Sequence, residues 1–239
     1  MHLPPEHLTG ERVVLQGEPH KYLSRVLRLA AGDSLTIFDG QGHEVEACIE
    51  EVSARSTLLV LGARHAVSTG RAVPITLIQA VSRGERMELV IQKATELGAA
   101  AIVPIWTART VVQPGGDGRL RRWRTIAQEA ARQCGRADVP AIADPLPLQA
   151  ALQASAPDAA RKLLLWEEST GAPLRRALSG DESAVHLLVG AEGGFTAAEA
   201  DAARAAGFEA VGLGPRILRT ETAALVGLAL VQAALGGLD

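Results

Sequence analysis

Val185-His-Leu-Leu-Val-Gly-Ala-Glu-Gly-Gly-Phe-Thr-Ala-Ala-Glu199 decides the fold class. Its first five residues make an apolar run of strand length. Gly190, Gly193 and Gly194 then open a loop, and Thr196 with Glu199 spells a capping box for a helix predicted to reach Ala206. A strand feeding a helix through a glycine-rich turn is the repeating unit of an α/β domain with a mainly parallel sheet. The same grammar recurs on both sides. Ile75-Thr-Leu-Ile-Gln-Ala-Val81 is a continuous apolar strand of the kind buried on both faces. Ser82-Arg-Gly-Glu85 reads as a second capping box, before an amphipathic helix over Arg86 to Leu97 that Gly98 stops. Further strands are predicted at Ala100–Ile105, Leu163–Trp166 and Ala210–Leu213, and further helices at Leu120–Cys134 and Ala223–Leu235, with Pro140, Pro145 and Pro147 as punctuation.

Upstream the signals shorten. Strands are predicted at Arg12–Gln16, Ser34–Phe38, Glu44–Ile49 and Thr57–Leu61, with Asp39-Gly-Gln-Gly42 as a turn between the second and third. His20 to Leu29 has helical spacing and carries Lys21, Arg25 and Arg28. Short strands with turn punctuation suggest a compact β-barrel over residues 1–70. The linker is placed within Ala63–Ala72, and the α/β domain spans 73–239.

Composition narrows the class. Of 239 residues, 47% are hydrophobic and 21% charged, which suits globular domains with a real core. The net charge of -3 does not announce a nucleic-acid binder, so any basic surface must be local. Lys21, Lys93 and Lys162 are the only lysines among 24 basic residues, so arginine carries most of the positive charge. Cys48 and Cys134 stand far apart and form no metal-ligand spacing, so no metal is expected. No disulfide framework, signal peptide or membrane-length apolar run is visible, and a cytoplasmic protein is expected.

Phosphate loops of the GxxxxGK[ST] type, HExxH, GxSxG and a complete GxGxxG are all missing. Two glycine loops stand out instead: Val189–Phe195, and Leu213-Gly-Pro-Arg-Ile-Leu-Arg-Thr-Glu-Thr222. Each follows a strand and precedes a helix, where ligands bind in open α/β sheets. A tight turn needs a glycine or two, but not the density of donors and acceptors in Arg216, Arg219, Thr220 and Glu221. In the helix around Trp123, Arg121, Arg124, Gln128, Arg132 and Arg136 share one side, opposite Trp123, Ile126, Ala127, Ala130 and Cys134. Such a stripe of one sign suits phosphate; an ordinary solvated face is the other reading.

Arg25-Val-Leu-Arg-Leu29, Ile91-Gln-Lys-Ala-Thr-Glu-Leu-Gly98 with Pro104, Glu129-Ala-Ala-Arg-Gln133 with Arg136 and Pro140, Gly190–Phe195 with Glu199, and Leu213–Ala223 together resemble the ribosomal RNA small-subunit methyltransferase E family, of the SPOUT superfamily. The resemblance implies an N-terminal PUA-like β-barrel that helps hold RNA and a C-terminal α/β domain with a deep trefoil knot. It also implies a homodimer, and methylation of uracil N3 at uridine 1498 (customary numbering) of 16S ribosomal RNA, with the 30S subunit as the expected form of the substrate. The sequence departs from the family pattern at Ala191 for proline, Cys134 for serine, Arg83 for lysine and Tyr22 for histidine.

S-adenosylmethionine is the cofactor so implied, seated between loops that follow Leu165-Trp166, Val189-Gly190 and Leu213-Gly214. Its expected contacts are Leu165, Trp166, Gly190, Glu192, Gly193, Gly214, Ile217 and Leu218, with Leu188 and Leu213 as apolar walls. Arg219 is the candidate for stabilising a uracil anion, and Glu221 or Glu192 for accepting its proton; helix capping and pairing with Arg216 or Arg219 is the alternative for both glutamates. Arg25, Arg28, Arg121, Arg124, Arg132 and Arg136 are the RNA-binding candidates. The last helix is apolar nearly all round, which suggests a partner subunit or, in a monomer, full burial. A related knotted enzyme acting on another RNA, or a noncatalytic RNA-binding or ribosome-assembly protein, are the rival readings.

Overall fold

The computed structural model describes residues 1–67, 73–111, 117–155, 159–167 and 172–238, in two compact units. The first comprises Met1–Thr69 with Ala131–Val139. Its strands β1 (Arg12–Gln16), β2 (Ser34–Phe38), β3 (His43–Val52) and β4 (Ser56–Ala66) form an antiparallel sheet in the order β1-β4-β3-β2. The alternation read in the sequence is the physical cause: Val45, Ala47 and Ile49 of β3 are buried, and Ala47 and Ile49 cluster with Leu15, Leu23, Ile37 and Leu59. Irregularities between Val45 and Ala47, and between Ile49 and Glu51, break the ladder with β4.

The turn at residues 39–42 is fastened from within. Asp39, with no exposed side-chain surface, accepts the amides of Gln41 (2.7 Å) and His43 (3.0 Å) and pairs with Arg64. Burial opposes its charge, but the two amides and the guanidinium outweigh it and hold the carboxyl below the usual range. Residues 131–139 join this unit through Ala131 and Ala137, which pack on Phe38, and through Val139, whose amide donates to the Gly40 carbonyl at 3.0 Å.

Two readings need correction here. The helix expected over 20–29 begins earlier, as α1 (Gly17–Lys21), and continues as a single π-helical turn, Tyr22–Val26. The linker expected from residue 63 starts later, because Ala63–Ala66 extend β4 through a long ladder with β3; its remainder at 68–72 lies outside the described residues.

The second unit holds strands β5 (Ile75–Ala80), β6 (Ala101–Trp106), β7 (Ala141–Ile142), β8 (Leu146–Pro147), β9 (Arg161–Leu165), β10 (Val185–Val189) and β11 (Glu209–Val211). They form one parallel sheet in the order β11-β9-β10-β5-β6-β7, with β8 also on β6. Helices α2 (Glu85–Glu96) and α6 (Thr220–Ala234) pack together on one face, with α6 against β5 and β10. Helices α4 (Leu148–Ser155) and α5 (Ala197–Ala205) pack on each other, α4 on β6 and α5 on β11. Helix α3 (Asp117–Cys134) follows β6.

The sheet is buried on both faces, as its unbroken apolar strands require. Ile78, Leu164 and Leu188 join Phe195 and Phe208 in one cluster, while Leu165 and Leu187 face α6. There α6 approaches so closely that a Cβ on Gly227 would lie 2.9 Å from both leucines.

The capping box at Thr196 is present in full, its side chain accepting from the Glu199 amide at 3.2 Å and Glu199 answering at the Thr196 amide at 2.9 Å. The one at Ser82 is absent. Gly84, at φ 56°, is the N-cap of α2, and the Ser82 hydroxyl turns back to the Ala80 carbonyl. On α3, Trp123, Ala127 and Ala130 are buried as expected, but Cys134 is exposed.

Candidate active site

The carboxyl ends of β5, β6, β9, β10 and β11 share one edge of the sheet, so five loops meet there. The chain leaves β5 toward α2 but leaves β10 toward α5, which lies with the other pair of helices. Neighbouring strands whose connections part in this way open a crevice at their carboxyl ends.

The loop after β10 forms one wall and is tied down through several of its polar groups. Gln79, fully buried on β5, donates to the Thr220 hydroxyl at 3.0 Å and to the Gly190 carbonyl at 3.4 Å. Thr220 itself donates to that carbonyl at 2.5 Å. Glu192 accepts from the Arg83 amide (3.2 Å) and the Arg86 guanidinium (3.0 Å). Burial works against its charge, yet its own amide, the Arg83 amide and Arg86 prevail and lower its pKa. Arg109 donates to the Gly193 carbonyl at 2.6 Å and lies against that glycine. Glu199, besides closing its capping box, accepts the Ala108 amide at 2.7 Å.

The loop after β11 forms the opposite wall and is left open. With Leu165 and Trp166, residues Gly212 to Leu218 surround a cavity of about 120 Å³. A second cavity, of about 70 Å³, runs between Gly190, Ala191 and Glu192 on one side and Leu218 and Thr220 on the other. Leu165, Glu167, Ile217, Leu218 and Ala223 border both. Ile217 is 86% exposed, and neither Arg216 nor Arg219 has a hydrogen-bond or ion-pair partner among the described residues. A Cβ on Gly212 or Gly214 would meet nothing within 4 Å. Gly214 needs its freedom for φ 106°, whereas Gly212 has no such φ. Neither packing nor backbone strain therefore calls for glycine at 212; what the missing side chain preserves is open space.

The expected site residues divide accordingly. Leu165, Trp166, Leu213, Gly214, Ile217 and Leu218 line the first cavity, and Gly190 and Glu192 the second. Leu188 is fully buried among the core residues of the sheet and lines neither, so it is packing rather than wall. Gly193 is likewise backed by Arg109. Glu192 pairs with Arg86, not with Arg216 or Arg219. Arg219 is the N-cap of α6 and is exposed. Helix α6 starts at Thr220, three residues before the start at Ala223 read in the sequence, which puts Glu221 in its first turn; its Oε2 is buried without a hydrogen-bond partner among the described residues.

Among the RNA-binding candidates, Arg25, Arg28 and Arg121 are exposed and unpaired with described residues. Arg124 reaches the Ile142 carbonyl at 3.2 Å, and Arg132 lies on Tyr22, 4.8 Å from the ring centre. Arg136 departs from the stripe: Gly135 has ended the helix, only 14% of its side chain is exposed, and Asp138 neutralises it. Sequence reasoning missed Gln79, Arg86, Arg109, Glu167 and Gly212. Gln79 carried a signal, being the one amide side chain in a strand that is otherwise apolar but for Thr76.

Residues 69–232 match the family model of an RNA methyltransferase domain, and residues 15–61 that of an RNA methyltransferase PUA domain. A paired sheet unit and crevice-bearing parallel domain of this kind define an RNA methyltransferase. Ribosomal RNA small subunit methyltransferase E of Mycobacterium bovis is 36% identical over 230 residues, 93% of this chain and 87% of that protein. The crystal structure of a ribosomal RNA small subunit methyltransferase E from Neisseria gonorrhoeae, bound to S-adenosyl methionine, superposes with a TM-score of 0.88 at 33% identity, covering 98% of this chain and 96% of that one. A putative methyltransferase of Legionella pneumophila in complex with the same cofactor gives 0.87 at 34% identity, with the same coverage. The chain belongs to the ribosomal RNA small subunit methyltransferase E family.

Proposed function

We propose that this protein transfers a methyl group from S-adenosylmethionine to N3 of a uridine in small-subunit ribosomal RNA, at position 1498 in customary numbering. The observation that carries the reading is the contrast between the two walls: one glycine loop fastened, the other presenting open glycines and two arginines with no partner among the described residues.

The residues suit the cofactor. Leu165, Leu213, Leu218 and Ala223 offer apolar surface, and Gly212 and Gly214 leave backbone groups approachable. The cofactor supplies an electrophilic methyl group; the chain must align the base and handle its proton. Uracil N3 carries a proton at neutral pH and gains negative charge on its flanking oxygens as that proton leaves. Arg219, exposed and uncommitted, is the group placed to receive that charge. Of the two carboxylates, Glu192 already takes two outside donors and is held acidic, which makes it a weak base. Glu221 keeps a buried oxygen without a donor among the described residues, so it is the carboxylate with a position left to take the proton.

Arg25, Arg28, Arg121, Arg124 and Arg132 grip the RNA backbone, with Arg136 reduced to a structural part. The protein works in the cytoplasm as a homodimer on the 30S subunit, with domains at residues 1–70 and 73–239 and a trefoil knot in the second. The half-buried Leu225, Val226, Ala229 and Leu230 of α6 favour a partner subunit over full burial. No helix among the described residues is long and apolar enough to cross a membrane.

The test is methyl transfer from labelled cofactor to small subunits lacking the modification, followed by mass spectrometry of the RNA. Label at N3 of that uridine is expected. Label on a ribose, on another RNA, or on none would replace this reading with one of its rivals.

A further inference from the structure

The turn that follows α1 in the first unit is unusual in three independent ways. Tyr22–Val26 is π-helical, a widened form that is rare and frequently found at functional sites. Its carbonyls are closed by the Leu27 amide on Tyr22 (2.9 Å) and the Leu29 amide on Leu23 (3.0 Å), in the manner of a helix C-terminal turn. Such turns place a left-handed residue, usually glycine, just past the end. Here that residue is Arg28, at φ 54°, the one non-glycine with positive φ among the described residues. Local preference calls for glycine, so an arginine held there points to a use for its side chain.

The tip of the same turn is apolar and bare. Val26 is 67% exposed and Leu27 44%, while Leu23 behind them is fully buried and anchors the turn in the core. Arg25 and Arg28 flank the two, and neither has an acidic partner among the described residues. Arg132 adds a third guanidinium over the ring of Tyr22, the first residue of the turn. In a chain of net charge -3, two arginines without acidic partners among the described residues beside two bare aliphatic side chains, with a third guanidinium over Tyr22, form a local exception.

We infer that Val26 and Leu27 form a tip that packs against the face of an unstacked RNA base, while Arg25 and Arg28 hold the phosphates on either side. The inference rests on the RNA-modifying reading above and adds to it a contact with bases. Charge favours RNA over a protein partner, because the cations ring the apolar tip as phosphates ring a splayed base. Unpaired bases present apolar faces of every sequence, so the contact is tolerant of sequence and adds affinity where the strand is single.

The experiment is equilibrium binding of the full-length protein, without cofactor and at low salt, to a uridine dodecamer and to the same strand with abasic riboses. Val26→Ser with Leu27→Ser should weaken binding to the dodecamer roughly tenfold, leave the salt dependence unchanged, and have no effect on the abasic strand. Arg25→Ala should weaken both strands and shallow the slope of log affinity against log salt by about 0.7. Arg28→Gly should bind more weakly while the melting temperature stays within about 2 °C of the parent, since glycine suits that conformation. Equal binding of the Ser pair and the parent to both strands would overturn the inference. So would a Ser pair that binds RNA normally but loses affinity for intact small subunits, which would mark a protein partner. A parent protein that binds neither strand, nor protein-free ribosomal RNA, would bring down the RNA-modifying reading as well.

Discussion

The two glycine loops that face each other across the crevice look alike as sequence and differ as structure. Loop 190–195 spends its polar groups on its own scaffold: Gln79 and Thr220 on the Gly190 carbonyl, Arg86 on Glu192, Arg109 on the Gly193 carbonyl. Loop 212–219 spends almost none, leaving Arg216 and Arg219 without partners among the described residues and Ile217 in solvent. A loop whose donors and acceptors are satisfied internally is a rigid wall, and one whose groups are unsatisfied is where a ligand or substrate completes the bonding.

Substitutions can break this contrast, and the largest effect should come from the open side. Arg219→Ala is expected to lower kcat by about 10²–10³-fold with cofactor affinity and melting temperature preserved. A collapse of cofactor binding in calorimetry would instead move Arg219 to the cofactor site. Gly212→Val comes next. Gly212 lines the cavity and a Cβ there meets no protein atom within 4 Å, so cofactor affinity should fall at least about tenfold while stability changes by no more than about 0.5 kcal/mol. Unchanged affinity would mean that the cavity beside Gly212 holds no part of the ligand.

On the fastened side the effects should appear in stability. Thr220→Val removes the 2.5 Å hydrogen bond to the Gly190 carbonyl and should cost about 1–3 kcal/mol in urea unfolding. A fully stable variant would show that Gln79 alone suffices to hold the loop. The smallest effect belongs to Arg86→Ala. Its pair with Glu192 is partly exposed, so the loss should stay under about 1 kcal/mol near neutral pH. The folded-state pKa of Glu192 lies below its ordinary 4.5, so the stabilisation is complete above that value and fades as pH falls through the lowered one. The difference between parent and variant should therefore shrink as pH falls below 4.5, and a difference constant with pH would remove the ion pair as its cause.

Much of the framework was legible in the residues. Strands β2 and β10 fall where the apolar patterns put them, and the capping box at Thr196 is complete. These features depend on neighbours in sequence, so local chemistry suffices. The Ser82 box failed because Gly84 takes a left-handed φ, and a capping motif is only a spacing until the backbone allows it. Helix α4 was missed because its first residue follows Pro147 within a stretch that reads as punctuation. The arginine stripe kept Arg121 but lost Arg136 to Asp138, two residues away across a turn that a helical wheel does not bend.

The sequence by itself determined the alternation of strand and helix, the two glycine loops and the family, because periodicity and motif order survive in one dimension. Tertiary structure alone decided which loop is fastened and which is open. The donors that tie Gly190 and Glu192 come from β5, α2 and α6, more than a hundred residues away for Gln79 and Arg86 and thirty for Thr220, and only folding brings them within hydrogen-bonding distance.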